Sequence, residues 1–263
     1  MRRKFVFVWM TCAAIVTFAA GCGARQRELT VITYNIHHAE GTDKKLDVGR
    51  IARVIAKENP DLVALQEVDA GATRTNGVMQ ADEIARRLHM HHAYGPAMDF
   101  QGGKYGNAVL SRFPIVETRV IALPFTSGER REPRAAVATI VKLPGGRAIA
   151  FIATHLDHTS RASDRLDQAK ALNQRLDDIR EPAILAGDFN CEPGSPPMRE
   201  LDSIWDLASD AEQLTCPADE PRLKIDHVLV KPRNAWRAIE SKVVAEPVAS
   251  DHRPVVVKLK LQK

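Results

Sequence analysis

The order of its apolar segments is the feature that most constrains how this chain can fold. The segment "DLVALQEV" (61–68) is a continuous apolar run, typical of a buried strand, and it ends in a glutamine and a glutamate. A strand of β-branched residues, "LTVITYNI" (29–36), precedes it. A helix is predicted between them, with one apolar face formed by Val48, Ile51, Ala52 and Ile55. Strand, helix and strand therefore follow one another within 40 residues.

The rest of the chain adds a second helix, a series of strands and a third helix. Residues 79–89 are predicted to be helical, and residues 91–153 contain several strands of antiparallel character. The third helix has one apolar face, formed by Leu166, Ala169, Leu172, Leu176 and Ile179. The strand "AILAGD" (183–188) and three further strands follow. This order predicts an α/β (α+β) fold, a four-layer α/β sandwich of two packed mixed sheets covered by helices.

The N-terminus has the layout of a bacterial export signal. Three basic residues precede an apolar run over 5–20, which is shorter than the roughly 20 residues of a membrane span. "FAAGC" (18–22) resembles a lipobox, so residues 1–21 are predicted to be removed and Cys22 to carry a lipid. Residues 22–28 would be a short tether and 29–263 a single domain. We expect a membrane-anchored lipoprotein, periplasmic or on the outer face, with ordinary secretion and a retained anchor as alternatives.

Charge and composition bear on the partners of the exported protein. The precursor has 37 Lys and Arg against 33 Asp and Glu, and the predicted signal removes three of the basic residues and no acidic one. The remaining charge of about +1 lacks the basic surplus of proteins that grip duplex nucleic acid. Aromatic residues are only 5% of the chain, so stacking platforms for single strands are scarce. A monomer is expected.

Polar residues follow the apolar strands at the points where the strands end. Side chains at strand ends converge when the strands share sheets, so these residues are predicted to line one cleft. They are Asn35, Glu67, His155, Asp188, Asn190, Asp226, His227, Asp251 and His252. Carboxylate and amide oxygens favour Mg²⁺ or Mn²⁺, and no zinc-ligand spacing is present. The sequence also lacks a phosphate-binding P-loop and the Gly-x-Ser-x-Gly motif of serine hydrolases.

Eight short motifs occur in the order found in one enzyme superfamily. They are "TYNIHH", "PDLVALQEVD", "YGNAVLSRFPI", "EPRAA", "THLDH", "GDFN", "IDHVLV" and "SDHRPV". Together they resemble the endonuclease/exonuclease/phosphatase superfamily of metal-dependent phosphoesterases and extend over nearly all of residues 29–260. The resemblance implies the four-layer sandwich already predicted and hydrolysis of a phosphoester with Mg²⁺ (or Mn²⁺) as cofactor.

The resemblance also implies roles for individual residues. Glu67 is similar to the main metal ligand of the family, with Asn35 and Asp251 completing or supporting the site, which would hold one or two ions. His252 resembles the general base, oriented by Asp226, and Asp188 is the rival for that role. A further pair, His155 and Asn190, would donate hydrogen bonds to the phosphate.

Other residues have two readings. Asn107 and Tyr105 would either contact the substrate at the edge of the cleft or serve packing. Arg134 would either bind the phosphate or pair with Glu132. The sequence also contains two pairs of adjacent histidines. His37 and His38 follow Asn35 and would border the pocket, whereas His91 and His92 are expected to be structural residues of an inner strand.

The substrate is left open by the sequence. A phosphodiesterase acting on small or lipid-derived phosphoesters is preferred. The alternatives are an exported nuclease, a phosphomonoesterase of inositol-phosphate type and an inactive binding lipoprotein. Arg130, Arg131 and Arg134 lie close together in one variable loop that would meet an anionic head group. Because an exported protein meets an oxidising compartment, a disulfide between Cys191 and Cys216 is predicted, tying two loops beside the cleft.

Overall fold

A computed structural model describes residues 28–126, 132–160 and 162–262 of the chain. The predicted signal over 1–21, the lipid attachment at Cys22 and the two arginines Arg130 and Arg131 lie outside these residues. No helix within the described ranges is both long and apolar enough to cross a membrane.

The first sheet has six strands, drawn from both ends of the domain. Their order is β11-β12-β1-β2-β4-β3, with β1 and β2 parallel and the other neighbours antiparallel. The strands are β1 (Glu28–Asn35), β2 (Leu62–Ala70), β3 (His91–Phe100), β4 (Gly103–Ser111), β11 (Trp236–Val243) and β12 (Val255–Leu261). The structure corrects one expectation here: β3 lies at the edge of the sheet rather than inside it, and His91 and His92 are exposed.

The second sheet also has six strands, in the order β5-β6-β7-β8-β10-β9. Its one parallel pair is β7 with β8. The strands are β5 (Ile115–Ala122), β6 (Ala135–Lys142), β7 (Ala148–His155), β8 (Ala183–Asp188), β9 (Asp206–Leu207) and β10 (Asp226–Lys231). Three of these four parallel strands end in residues singled out from the sequence, β1 at Asn35, β7 at His155 and β8 at Asp188.

Helices cover the outer face of each sheet. α1 (Val48–Lys57) and α2 (Gln80–Leu88) bury their apolar faces against the first sheet, and α3 (Ala162–Arg175) and α4 (Pro196–Asp202) against the second. A third apolar cluster fills the space between the sheets. This arrangement confirms the predicted four-layer sandwich.

Local signals explain where the helices begin. The Asp47 carboxylate caps α1 by accepting a hydrogen bond of 2.8 Å from the amide of Arg50. α4 was not predicted from the sequence, although two prolines occupy its first turn, where the missing N–H groups have no helical partner. Its seven residues are too few to show a long periodic pattern in the sequence.

Candidate active site

Strand register brings three of the expected residues together at one end of the second sheet. His155 at the end of β7 lies beside Asp188 at the end of β8, and Asp226 at the start of β10 lies on the other side of Asp188. All three side chains are buried. Their meeting therefore follows from the hydrogen-bond pattern of the sheet.

The first sheet contributes Asn35, which ends β1, and Glu67, which lies within β2 rather than at its end as the sequence suggested. The pairing of β2 with β4 is interrupted between Leu65 and Val68, and Glu67 has a left-handed backbone with φ 57°. This irregularity lies in the middle of a buried strand, where the Glu67 side chain lines a cleft at the end of the two sheets. Such backbone geometry is found mainly where the surrounding structure imposes it.

One amide joins the two sheets. Nδ2 of Asn35 donates to Oε1 of Glu67 at 3.1 Å and to Oδ2 of Asp188 at 3.0 Å. Oδ1 of Asn35 accepts from the backbone N–H of His37 at 3.0 Å, which fixes the amide group. Two carboxylates from different sheets are thus held around a single side chain.

His252 reaches the same place from the loop between β11 and β12. Its Nδ1 lies 2.9 Å from Oδ2 of Asp226 and its Nε2 lies 3.8 Å from Oδ2 of Asp188. Burial alone would lower the pKa of His252, but the two carboxylates outweigh it and hold the pKa well above its usual value. Burial would likewise raise the pKa of Asp226, and the charge and hydrogen bond of His252 lower it instead.

Asp188 and His155 have the opposite electrostatics. Burial, with the nearby Asp226 carboxylate, raises the pKa of Asp188 to about 7. Burial, with the charge of Arg134, lowers the pKa of His155 well below its usual value, so the ring is neutral. Asn190 has a left-handed backbone with φ 49°; its Nδ2 lies 3.0 Å from Nε2 of His155 and its N–H donates to Oδ1 of Asp188 at 2.8 Å.

The far wall of the cleft carries a buried arginine. Arg134 is only 3% exposed, and its Nη1 lies 3.5 Å from the Tyr105 hydroxyl and 3.4 Å from Nδ1 of His155. Its Nη2 lies 2.8 Å from Nδ1 of His158 and 3.1 Å from Oε2 of Glu132. Arg134 therefore pairs with Glu132, as one of the two readings from the sequence expected, and it also lines the cleft. Phosphate binding by Arg134 stays a prediction.

A family model described as the Endonuclease/Exonuclease/phosphatase family matches residues 32–252. The chain belongs to this family. Members are hydrolases of phosphoester bonds, so the reaction class predicted from the sequence is confirmed at this level.

Individual proteins match nearly the whole chain. The YbhP protein of Escherichia coli is 26% identical over 253 residues, which cover 90% of this chain and 98% of that protein. The endonuclease/exonuclease/phosphatase protein of Beutenbergia cavernae is 27% identical, with a TM-score of 0.69 over 90% of this chain and 72% of that one. A mannosyl-6-phosphatase of Bacteroides thetaiotaomicron shares the fold at 21% identity, with a TM-score of 0.71 over 88% of this chain and 99% of that one.

Besides Glu132, four residues that line the cleft were not singled out as site residues from the sequence: Arg74, Met98, Phe100 and His158. The guanidinium of Arg74 lies 4.5 Å from the centre of the Phe100 ring and forms two hydrogen bonds with the buried Asp69 carboxylate. Both Arg74 and Phe100 line the cleft, as does His158. His158 ends the quoted motif "THLDH" and could have been found there, whereas Arg74 and Phe100 come from a turn and a strand end that carry no motif.

Two of the expected site residues have other surroundings. Asn107 is buried and does not line the cleft; its Nδ2 donates to the carbonyl of Ala135 at 2.7 Å and so ties β4 to β6 of the other sheet. This contact agrees with the packing alternative. Asp251 is half-buried, accepts a hydrogen bond of 3.3 Å from Ser250 and acts electrostatically on the pKa of Tyr34.

The predicted disulfide is not present. Cys191 and Cys216 are both free cysteines. Cys216 instead contacts the side chain of His252, which accounts for its place beside the cleft. Burial raises the pKa of the Cys191 thiol to about 11, so this group is not a thiolate nucleophile at neutral pH.

The residues around Asn35 fit a divalent cation. Glu67 and Asp188 offer carboxylate oxygens on either side of one amide. Oxygen donors of this kind suit hard cations such as Mg²⁺ and Mn²⁺.

Proposed function

We propose that this protein is a divalent-metal-dependent hydrolase of small phosphoesters, acting on phosphodiesters. The observation that carries the proposal is the amide of Asn35, which joins Glu67 and Asp188 across the two sheets. Around this junction, one cleft of about 270 Å³ is lined by catalytic candidates, by the Arg134 guanidinium and by apolar surface of Met98 and Phe100. An apolar wall next to the phosphate site suits a phosphate that carries an organic group on each side.

Glu67 and Asn35, with Asp251 in support, would hold Mg²⁺ or Mn²⁺. The cation would act as a Lewis acid on a phosphate oxygen. The buried Arg134 keeps its charge at every physiological pH, and its planar fork suits a phosphate group. His155 and Asn190 would donate hydrogen bonds to the phosphate as its charge develops.

The electrostatics favour Asp188 as the group that accepts the proton of the attacking water. Its pKa of about 7 is close to ambient pH, which is the range where a general base is most effective. His252 has its pKa held well above the usual value by two carboxylates and would therefore be protonated. In that state it would stabilise negative charge next to Asp188 and return a proton to the leaving group. The sequence-based preference for His252 as the base is thus replaced in the proposal by the alternative.

Hydrolysis of phosphomonoesters is the second candidate. The fold neighbour from Bacteroides thetaiotaomicron is a mannosyl-6-phosphatase. In this chain, Arg74 and Arg134 both line the cleft, where two guanidinium groups would suit the extra charge of a terminal phosphate.

The test is a substrate panel with the purified protein. Aryl phosphodiester, aryl phosphomonoester, sugar phosphate, inositol phosphate, sphingomyelin, DNA and RNA would each be incubated with Mg²⁺, with Mn²⁺ and with EDTA. We expect diester hydrolysis that requires the cation, is lost in Glu67→Gln and Asp188→Asn, and is retained in the exposed control His91→Asn. Activity that persists in EDTA and in Glu67→Gln would contradict the metal mechanism. Silence on every substrate would favour a binding lipoprotein.

The membrane anchor is a separate proposal. The lipobox-like segment before Cys22 and the basic, apolar layout of residues 1–21 support a lipid-anchored protein at the cell envelope. In cells, the wild-type chain should partition into detergent, whereas Cys22→Ser should not. Equal partitioning of both would argue for a retained apolar anchor.

A further inference from the structure

A second cluster of metal-ligating side chains lies beside Asn35. It consists of His37, His38 and Glu67, and one ligand atom of each lies within 4.8 Å of the ligand atoms of the other two. Adjacent residues of a strand point to opposite faces, so two neighbouring histidines rarely act together. Here the chain leaves β1 in a left-handed turn, with φ 44° at His37 and 43° at His38, and the two ring centres are 4.5 Å apart.

The ring of His38 has an unused ligand atom. The residue is 8% exposed, and its Nδ1 is buried without a hydrogen-bond partner. A buried polar atom without a partner is unfavourable, so this nitrogen is available to a ligand.

The ring of His37 is oriented in the way that metal-binding imidazoles usually are. Its Nδ1 lies 3.1 Å from the carbonyl oxygen of Glu40, which leaves Nε2 for a ligand. Histidines that bind metals usually donate their other ring N–H to a carbonyl or carboxylate, because this fixes the tautomer and the ring orientation.

A single buried glutamine holds the turn against the strand that bears Glu67. Nε2 of Gln80 donates to the His38 carbonyl at 2.6 Å, and its Oε1 accepts from the N–H of Asp69 at 2.9 Å. The histidine turn and the strand β2 are therefore fixed relative to each other in the absence of an ion. Preorganisation of this kind is what a metal site needs.

The surrounding charges favour a cation. Glu67 contributes a carboxylate, and Asp188 lies beyond the shared amide of Asn35. The positive charge of Arg74 acts on His38, and the buried Asp69 carboxylate neutralises it at 2.7 Å. Oε2 of Glu40 lies 3.9 Å from Nε2 of His38, and its Oε1 lies 3.6 Å from Nζ of the exposed Lys44.

We propose that His37, His38 and Glu67 form a second metal site, which takes a transition-metal dication such as Co²⁺, Zn²⁺ or Mn²⁺ and shares Glu67 with the first. Two imidazoles and a carboxylate with open positions form a common donor set of catalytic zinc sites, and imidazole selects against Mg²⁺. The inference rests on the proposed function only in that Glu67 would also serve the first cation.

Cobalt is the probe, because Co²⁺ bound to imidazole gives visible absorption and shifted proton signals without any substrate. The purified protein would be titrated with Co²⁺ in the presence of excess Mg²⁺, and binding would be followed by calorimetry, absorption and paramagnetic proton NMR. We expect a tight Co²⁺ site with two shifted imidazole N–H signals. The double variant H37N/H38N should lose both signals and bind Co²⁺ at least about 100-fold more weakly, since even supporting groups of a site are worth 10–100-fold.

The matched control is H91N/H92N, because this adjacent pair is exposed at the edge strand β3. It should keep the Co²⁺ signals, and single variants H37N and H38N should each lose one of them. Unchanged Co²⁺ binding in H37N/H38N, or an equal loss in H91N/H92N, would overturn the proposal. Circular dichroism establishes that each variant is folded. If the double variant does not fold, the single variant H37N, at the half-buried position, replaces it in the binding test. Failure of the proposed function is detected by a separate measurement, as phosphoester hydrolysis that persists in EDTA.

Discussion

Replacement of Asp188 by asparagine should stabilise the metal-free protein at alkaline pH. The carboxyl is buried, and its pKa is raised to about 7, against 3.8 for an ordinary aspartate. Since one pKa unit is worth about 1.4 kcal/mol, the ionised carboxylate costs the folded state about 4 kcal/mol once it is fully charged. Asparagine has the shape of the neutral carboxyl and never ionises, so the variant avoids this cost.

The sign of the effect depends on pH. The cost is absent below the pKa of an unfolded aspartate, about 3.9, and grows as the pH rises until it is complete above the folded value. Wild type and Asp188→Asn should therefore have similar free energies of unfolding near pH 4. At pH 8 the variant should be more stable by up to about 4 kcal/mol, which corresponds to roughly 10 °C in Tm for a domain of this size.

Guanidinium unfolding in EDTA measures the free energy of unfolding of wild type and variant at both pH values. The transition is followed by the fluorescence of the buried Trp205 and Trp236. Asp226→Asn is the control of opposite sign, because the pKa of Asp226 is lowered and its carboxylate is paired with His252. That variant should be destabilised at pH 8, since it leaves His252 without its partner. If Asp188→Asn has the same effect on stability at pH 4 and pH 8, then Asp188 has an ordinary pKa and its proposed part in proton transfer loses its basis.

Further predictions concern single contacts. Arg134→Lys should raise KM about 10-fold, because one ammonium cannot replace a guanidinium that contacts both Tyr105 and His158; steady-state kinetics that match wild type would contradict this. Asn107→Ala should lower the free energy of unfolding by about 1–3 kcal/mol and leave kcat/KM within about twofold, as denaturant titration and kinetics would measure. Because the pKa of His252 is raised, its contribution to stability is complete below about pH 6.5 and is lost as the pH rises through the folded value. The free energy of unfolding of His252→Gln, measured between pH 6 and 9, should not show this decrease.

Much of the fold could be predicted because buried elements have a periodic pattern of apolar residues in the sequence. Continuous apolar runs mark β1, β2 and β8, which are covered on both faces, and the helical spacing of Ile51 and Ile55 marks α1. Short elements have no such pattern. The seven residues of α4 are too few to establish a period, and the edge position of β3 depends on which strands pair, which no local pattern encodes.

The cleft could be predicted in part for a related reason. Asn35, His155 and Asp188 end strands, and strand ends of a shared sheet meet wherever the register places them. Arg74 and Phe100 reach the cleft from a turn and from a strand end, so their meeting depends on how β4 pairs with β2 and β3 with β4.

The sequence by itself determined the alternation of strands and helices, the family and the polar groups at the strand ends. These are local properties, encoded by hydrophobic periodicity and by short motifs. The tertiary structure decided which groups face one another: the Asn35 amide between two carboxylates, Asn107 as a tie between sheets, and a left-handed turn that brings His37 and His38 together. It also decided the direction in which the pKa of Asp188 and the pKa of His252 are shifted, because burial and the distance between charges exist only once the chain has folded.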